Sequence, residues 1–186
     1  MSRVIENPRE LILKKAEVLL FNEGYSSVNI RRVAKDCGIA VGTIYNYFPG
    51  KKELVIEMMV NFWINFFLKI NTEINSDKDF YLKLKYIMDE LSCILKRFKD
   101  VWLKNELYST PDYIASGMQE HNTHIGKLIS MIEEMLKSEL EARNREIDNG
   151  FTTHSMAKFI VINFISMIQM PFMDYDFFEK ILKKLI

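Results

Sequence analysis

The chain has 186 residues, 25 Lys/Arg against 25 Asp/Glu, and 48% hydrophobic residues, a balance that excludes a disordered polyelectrolyte and allows a substantial core. Seven glycines and four prolines are too few to punctuate many short strands, so the fold class read from composition is all-α. Cys37 and Cys93 match no disulfide or zinc framework, no signal peptide is read, and the apolar run 159–173 falls short of the roughly 20 residues of a membrane span. The expectation is a cytoplasmic protein with no membrane partner.

Zero net charge hides an asymmetry. Residues 1–55 carry nine Lys/Arg against six Asp/Glu, and the remainder sixteen against nineteen, which predicts a small cationic head on a mildly acidic body.

The first predicted helix opens at Asn7 as N-cap, with Pro8 in the first helical position and Glu10 where a capping-box acid stands. Leu11, Ile12, Ala16, Leu19 and Leu20 form its apolar stripe, and Gly24 ends it. Asn29 caps a short helix through Ile30, Val33 and Ala34 that stops at Gly38. A third begins near Ala40 or Val41 and runs to about Tyr47, because Pro49-Gly50 follows. Helix, short glycine-containing turn, helix is the pattern of a helix-turn-helix. A long helix is expected over about 51–74 and another over about 80–98, followed by shorter pieces near 101–108 and from Pro111. Helices over about 120–147, 155–170 and 175–185 complete the chain.

The stretch CGIAVGTIYNYFPGKKEL, from Cys37 to Leu54, carries the chemistry. In a helix-turn-helix the second helix enters the major groove and presents its N-terminal residues to base edges. Gly42 permits close backbone approach, and Thr43 offers a short hydroxyl and a methyl. Tyr45 and Tyr47 bring hydroxyls with reach, and Lys51 and Lys52 lie at a helix start where a phosphate also gains from N–H groups. Asn29, Arg31 and Arg32 add the start of the preceding helix. A phosphate-binding loop ending at Gly50-Lys51 would need Gly at 45 and Ser or Thr at 52, where Tyr45 and Lys52 stand.

These residues resemble the DNA-binding head of the TetR/AcrR family of bacterial transcription regulators. The matching positions include Ala16, Leu19, Gly24, Tyr25, Val33, Ala34, Gly38, Gly42, Thr43, Ile44, Tyr45, Tyr47, Phe48, Lys51 and Leu54, within roughly residues 9–55. The resemblance implies an all-α homodimer with an N-terminal three-helix head, residues 1–50, binding a palindromic double-stranded operator. It implies a helical body, 51–186, that dimerises and binds a small-molecule inducer. Carried over position by position, Asn29, Arg31, Arg32, Gly42, Thr43, Tyr45, Tyr47 and Lys51 are the expected DNA contacts. Two departures stand out. Ala40 replaces the usual Ser or Thr N-cap, at a cost of about 1 kcal/mol, and Val41 stands where Lys or Arg is frequent.

In the body, Phe62, Trp63, Phe66, Phe67, Tyr86, Trp102, Tyr108 and Tyr113 are the candidate lining of a pocket for a hydrophobic or aromatic ligand; as core filler they would have the same spacing. Residues 155–170 are apolar nearly all round, which demands burial on more than one side. Ile125, Leu128, Ile132, Leu136, Phe159, Ile162, Phe164 and Ile165 are therefore the candidate dimer face, in an intersubunit four-helix bundle. No cofactor or metal is expected: Glu120, His121 and His124 read as a polar helix segment. The sequence holds no nucleophile elbow, zinc-ligand pair or glycine-rich phosphate loop, so it does not read as an enzyme. Two functions remain: a ligand-responsive transcription regulator, with repression first, or a helical ligand-binding or interaction protein without operator binding. Steep salt dependence of DNA binding separates them.

Overall fold

The computed structural model describes residues 6–102, 111–147, 150–170 and 172–186, with the side chains of 97–102 and 111–122 excepted. The helices are α1 (Pro8–Glu23), α2 (Ile30–Cys37), α3 (Val41–Tyr45), α4 (Lys51–Ile74), α5 (Phe80–Trp102), α6 (Pro111–Ala142), α7 (Thr153–Gln169) and α8 (Tyr175–Leu185). The fold is all-α, with no strand among the described residues. No described helix is long and apolar enough to cross a membrane. The chain falls into two compact units, one of Met1–Asn65 with Arg97–Thr110 and one of Phe66–Lys96 with Pro111–Ile186.

In the first unit α1 starts at Asn7, whose side-chain oxygen accepts from the Glu10 N–H at 3.4 Å. Glu10 does not complete the expected capping box. Its carboxylate accepts from the Asn7 side-chain amide at 2.8 Å, because Asn7 is left-handed (φ 54°). Gly24, at φ 82°, ends the helix and donates to the Leu20 carbonyl. Ile12, Leu13, Ala16, Leu19 and Leu20 are buried with Tyr25, Val28, Ile30, Val33, Ala34, Ile44, Phe48, Leu54, Val55 and Met58. This apolar set closes the short helices onto α1. Arg9 pairs with Glu57 at 2.6 Å and lies 5.7 Å from the Phe48 ring centre, so the start of α4 is held against α1.

The second unit is built from residues 66–74 of α4 and 80–96 of α5 with α6, α7 and α8. Its core includes Phe66, Ile70, Leu84, Ile87, Leu128, Ile132, Leu136, Ile160, Phe164, Phe178 and Leu182. Thr152 and Ser155 form a reciprocal capping box at the start of α7. Asp174 caps α8 by accepting from the Phe177 N–H at 2.7 Å, and Lys183 and Lys184 stand favourably in its last turn.

Several helix boundaries differ from the sequence-based expectation, α3 among them, which ends at Tyr45 and not near Tyr47. α5 continues through Trp102, past the stop expected near Phe98, and α6 is one helix from Pro111 instead of a short piece followed by 120–147. α6 also ends earlier, at Ala142. Asn144 adopts φ 50° there, and the Arg145 N–H returns to the Leu140 carbonyl at 2.9 Å, a left-handed termination with Asn in the usual glycine role.

Glu133 clasps α6 to α7. It pairs with Lys137 within α6 and with His154 Nδ1 on α7, both at 2.7 Å, and accepts from the Thr153 hydroxyl at 3.3 Å. The hydrogen bonds from Lys137 and then His154 lower its pKa from 4.5 to about 2. A depressed carboxylate stabilises the fold fully above its ordinary value, and that contribution fades as pH falls from about 4.5 toward about 2. Carboxyl titration by NMR is expected to place Glu133 near 2, and Lys137→Ala is expected to move its midpoint upward.

Candidate nucleic-acid interface

The turn between α2 and α3 is fixed by backbone hydrogen bonds. Gly38, at φ 66°, donates to the Ala34 and Lys35 carbonyls, and the Ile39 N–H also reaches Ala34, at 3.0 Å. Such a termination needs a left-handed residue, which glycine supplies without a Cβ penalty. The chain then enters α3 after only Ile39 and Ala40.

α3 has five residues and no side-chain N-cap, too short a helix to hold itself in water. Ile44 is its buried residue, and Phe48, buried just beyond it, donates its N–H to the Ile44 carbonyl at 2.9 Å. With Ile44 turned inward, Val41, Gly42, Tyr45 and Tyr47 are exposed and Thr43 is half-buried. The Thr43 N–H donates to the Ala40 carbonyl at 2.9 Å. Ala40 supplies no hydroxyl to the N–H groups of the first turn. Ala40→Ser is expected to stabilise the protein by about 1 kcal/mol, read by urea unfolding.

The expected contacts on neighbouring elements are differently engaged. Asn29 accepts from the Arg31 N–H at 2.9 Å and so caps α2. The Arg31 side chain is exposed and has no ion-pair partner among the described residues. Arg32 is held by Glu23, its two terminal nitrogens 2.7 and 2.6 Å from the two carboxylate oxygens. Lys51 Nζ donates to the Tyr25 carbonyl at 2.8 Å and stands 3.8 Å from the centre of the Tyr25 ring. The sequence reading missed Glu23 and Tyr25 as partners, since each lies many residues from the cation it holds.

The aromatic candidates are distributed over both units. In the first unit Trp63 is buried and Phe62 packs edge-on against Phe21, ring centres 5.1 Å apart. In the second, Phe66 and Phe67 are buried and meet edge-on at 5.2 Å, while Tyr86 is half-buried. Tyr108 and the side chains of Trp102 and Tyr113 lie outside the described residues. A hollow of about 390 Å³ in the second unit is lined by Asn71, Phe80, Lys83, Met131, Glu134 and neighbours, and by none of the eight candidate aromatics.

The candidate dimer residues divide in two. Leu128, Ile132, Leu136 and Phe164 are fully buried within their own chain, so their apolar surface is already removed from water in one copy. Phe159 and Ile162 on α7 are exposed, at 37% and 60%, and Ile125 and Ile165 are half-buried. His124 packs beside Phe67. No group of three or more His, Cys, Asp or Glu is placed to hold a metal among the described residues.

Comparison with known proteins agrees with this geometry. Residues 12–58 match the family model described as bacterial regulatory proteins, tetR family. The chain is 26% identical over 152 residues to the HTH-type transcriptional regulator YvdT of Bacillus subtilis, covering 82% of this chain and 76% of that one. In fold it is similar to a transcriptional regulator from Cytophaga hutchinsonii, with a TM-score of 0.74, 18% identity, and 92% and 86% of the two chains covered. It is also similar to FadR from Bacillus subtilis in complex with stearoyl-CoA, with a TM-score of 0.61, 17% identity, and 86% and 84% covered. The matched segment contains α2, α3 and the first turns of α4, and with them the exposed Gly42, Tyr45 and Tyr47. Residues 12–58 thus form a helix-turn-helix head of the kind described for the tetR family of bacterial regulatory proteins, and the chain as a whole is similar to helix-turn-helix transcriptional regulators in sequence and in fold.

Proposed function

We propose that this regulator is a cytoplasmic repressor that binds a palindromic operator as a homodimer and is released by a small hydrophobic or aromatic ligand. Residues 1–50 serve as the DNA-binding domain and 51–186 as the ligand-binding and dimerisation domain. The observation that carries the reading is α3 itself, pinned by Ile44 with Tyr45 and Tyr47 exposed beside it. Thr43, Gly42 and Tyr45 meet the groove, while Tyr47, Arg31 and the N-terminus of α2 at Asn29 meet phosphates. Arg32 and Lys51 contact DNA only by exchanging partners they already hold.

The exposed Phe159 and Ile162 support an intersubunit face on α7, with Ile125 and Ile165 at its margin. Leu128, Ile132, Leu136 and Phe164 support that face from behind. A two-fold dimer presents two heads to two half-sites and so fits a palindrome. Occupancy of a promoter is enough to block it, so repression requires no further surface. That FadR was solved with stearoyl-CoA supports an apolar ligand for a body rich in aromatics. Such a ligand releases DNA only if it binds the non-operator arrangement more tightly than the operator-bound one.

The test is binding of the purified protein to duplex DNA from around its own coding sequence at two salt concentrations, with Tyr45→Ala alongside. Saturable binding that weakens steeply with salt and is lost in the variant supports the reading. Equal, feeble binding by both proteins at both salt concentrations counts against it.

A further inference from the structure

The two adjacent arginines at the start of α2 are in opposite states. Arg31 is exposed, with no ion-pair partner among the described residues. Arg32 is gripped by both oxygens of Glu23 at 2.7 and 2.6 Å. This fork-to-fork geometry is the one a guanidinium also adopts on a phosphate.

Glu23 is the last residue of α1, and the last turn of α1 contains no basic residue. A carboxylate there faces the negative end of the helix dipole, and Arg32 supplies the compensating charge from α2. The pair is nevertheless solvated, with 46% of the Arg32 side chain and 41% of the Glu23 side chain exposed. Ion pairs in such surroundings add little to stability, so this one can be exchanged without disturbing the core beneath it.

We propose that Glu23 is an internal competitor for DNA: its carboxylate occupies the phosphate-binding fork of Arg32 and thereby sets the strength and salt dependence of operator binding. The proposal rests on the DNA-binding reading above. In the free protein Glu23 stands in for a backbone phosphate. A DNA phosphate can displace it only by leaving the freed carboxylate beside a polyanion, so in the unmodified chain Arg32 stays with Glu23 and is withheld from phosphate. Arg31 contacts DNA without that exchange, so the two arginines contribute unequally although they are neighbours in sequence. Neutralising Glu23 releases one cation for phosphate contact.

Each added phosphate contact on B-DNA steepens the slope of log K against log salt by about 0.9. Extrapolated from 1 M salt, that corresponds to roughly eightfold tighter binding at 0.1 M. The experiment measures affinity across a salt series for the unmodified chain, Glu23→Gln, Arg32→Ala and the double variant. The probe is a 30-base-pair duplex from DNA flanking the chain's own coding sequence, and thermal melts check that each variant is folded.

The expected result is tighter binding and a steeper slope for Glu23→Gln, with no change of slope when the same substitution is made in the Arg32→Ala background. An unchanged slope, the same slope change in both backgrounds, or weaker binding by Glu23→Gln overturns the proposal; weaker binding would make the pair a strut that positions α2. Failure of the unmodified chain to bind at any salt overturns the DNA-binding reading and this inference with it.

Discussion

Ile44→Ala is expected to abolish operator binding while leaving every DNA-facing side chain in the sequence. α3 has five residues, no side-chain N-cap and one buried side chain, so its position depends on Ile44 far more than on helix propensity. Truncating a fully buried Ile to Ala costs about 2–5 kcal/mol through lost transfer energy and the cavity left behind. Against a total stability of roughly 5–15 kcal/mol, that loosens α3 before it unfolds the chain. The informative contrast is Tyr45→Ala. Tyr45 is 53% exposed, so its removal is expected to weaken DNA binding with little change in the urea midpoint. Ile44→Ala is expected to lower both. Unchanged DNA binding by Ile44→Ala would mean that the exposed face of α3 is not what meets DNA.

Phe178→Ala is expected to be among the most damaging substitutions in the second unit. Phe178 is buried on α8, with ring centres 5.8 Å from Phe164, 6.1 Å from Phe159 and 6.2 Å from Tyr175. A buried Phe→Ala change costs about 3–5 kcal/mol, and for a chain of this size that lowers Tm by roughly 6–20 °C. Thermal melting followed by circular dichroism reads it directly. The neighbouring Phe177, 55% exposed, provides the control: Phe177→Ala is expected to leave Tm nearly unchanged. Similar Tm values for the two variants would contradict the packing of α8 described here.

Elements with strong local signals were legible in the sequence. Asn29 with Gly38 brackets α2, and Pro49-Gly50 stops the segment after α3; each acts through the backbone within a few residues. The C-terminus of α6 was misplaced because Asn144, not glycine, supplies the left-handed turn. The local placement of the candidate residues was legible, since Thr43 and Tyr45 lie on a short helix whose inward side is marked by Ile44 and Tyr47 follows in the turn just beyond it.

The commitments of the cations were not legible. Arg32 finds Glu23 across the junction of α1 and α2, and Lys51 finds the Tyr25 carbonyl from the far end of the head. Both contacts depend on how helices pack, which a charge count cannot reveal. The apolar face of residues 155–170 had a similar ambiguity. Hydrophobic periodicity marks Phe164 and Ile162 alike, yet Phe164 is consumed by the chain's own core and Ile162 remains exposed.

The most direct test of the central claim is selection from a random pool of duplex DNA with the unmodified chain and, in parallel, with Tyr45→Ala. The account predicts that the unmodified chain enriches one sequence made of two inverted half-sites, and that the variant enriches none. A pool that emerges as random as it entered, at low salt and over repeated rounds, would contradict sequence-specific operator binding by this chain.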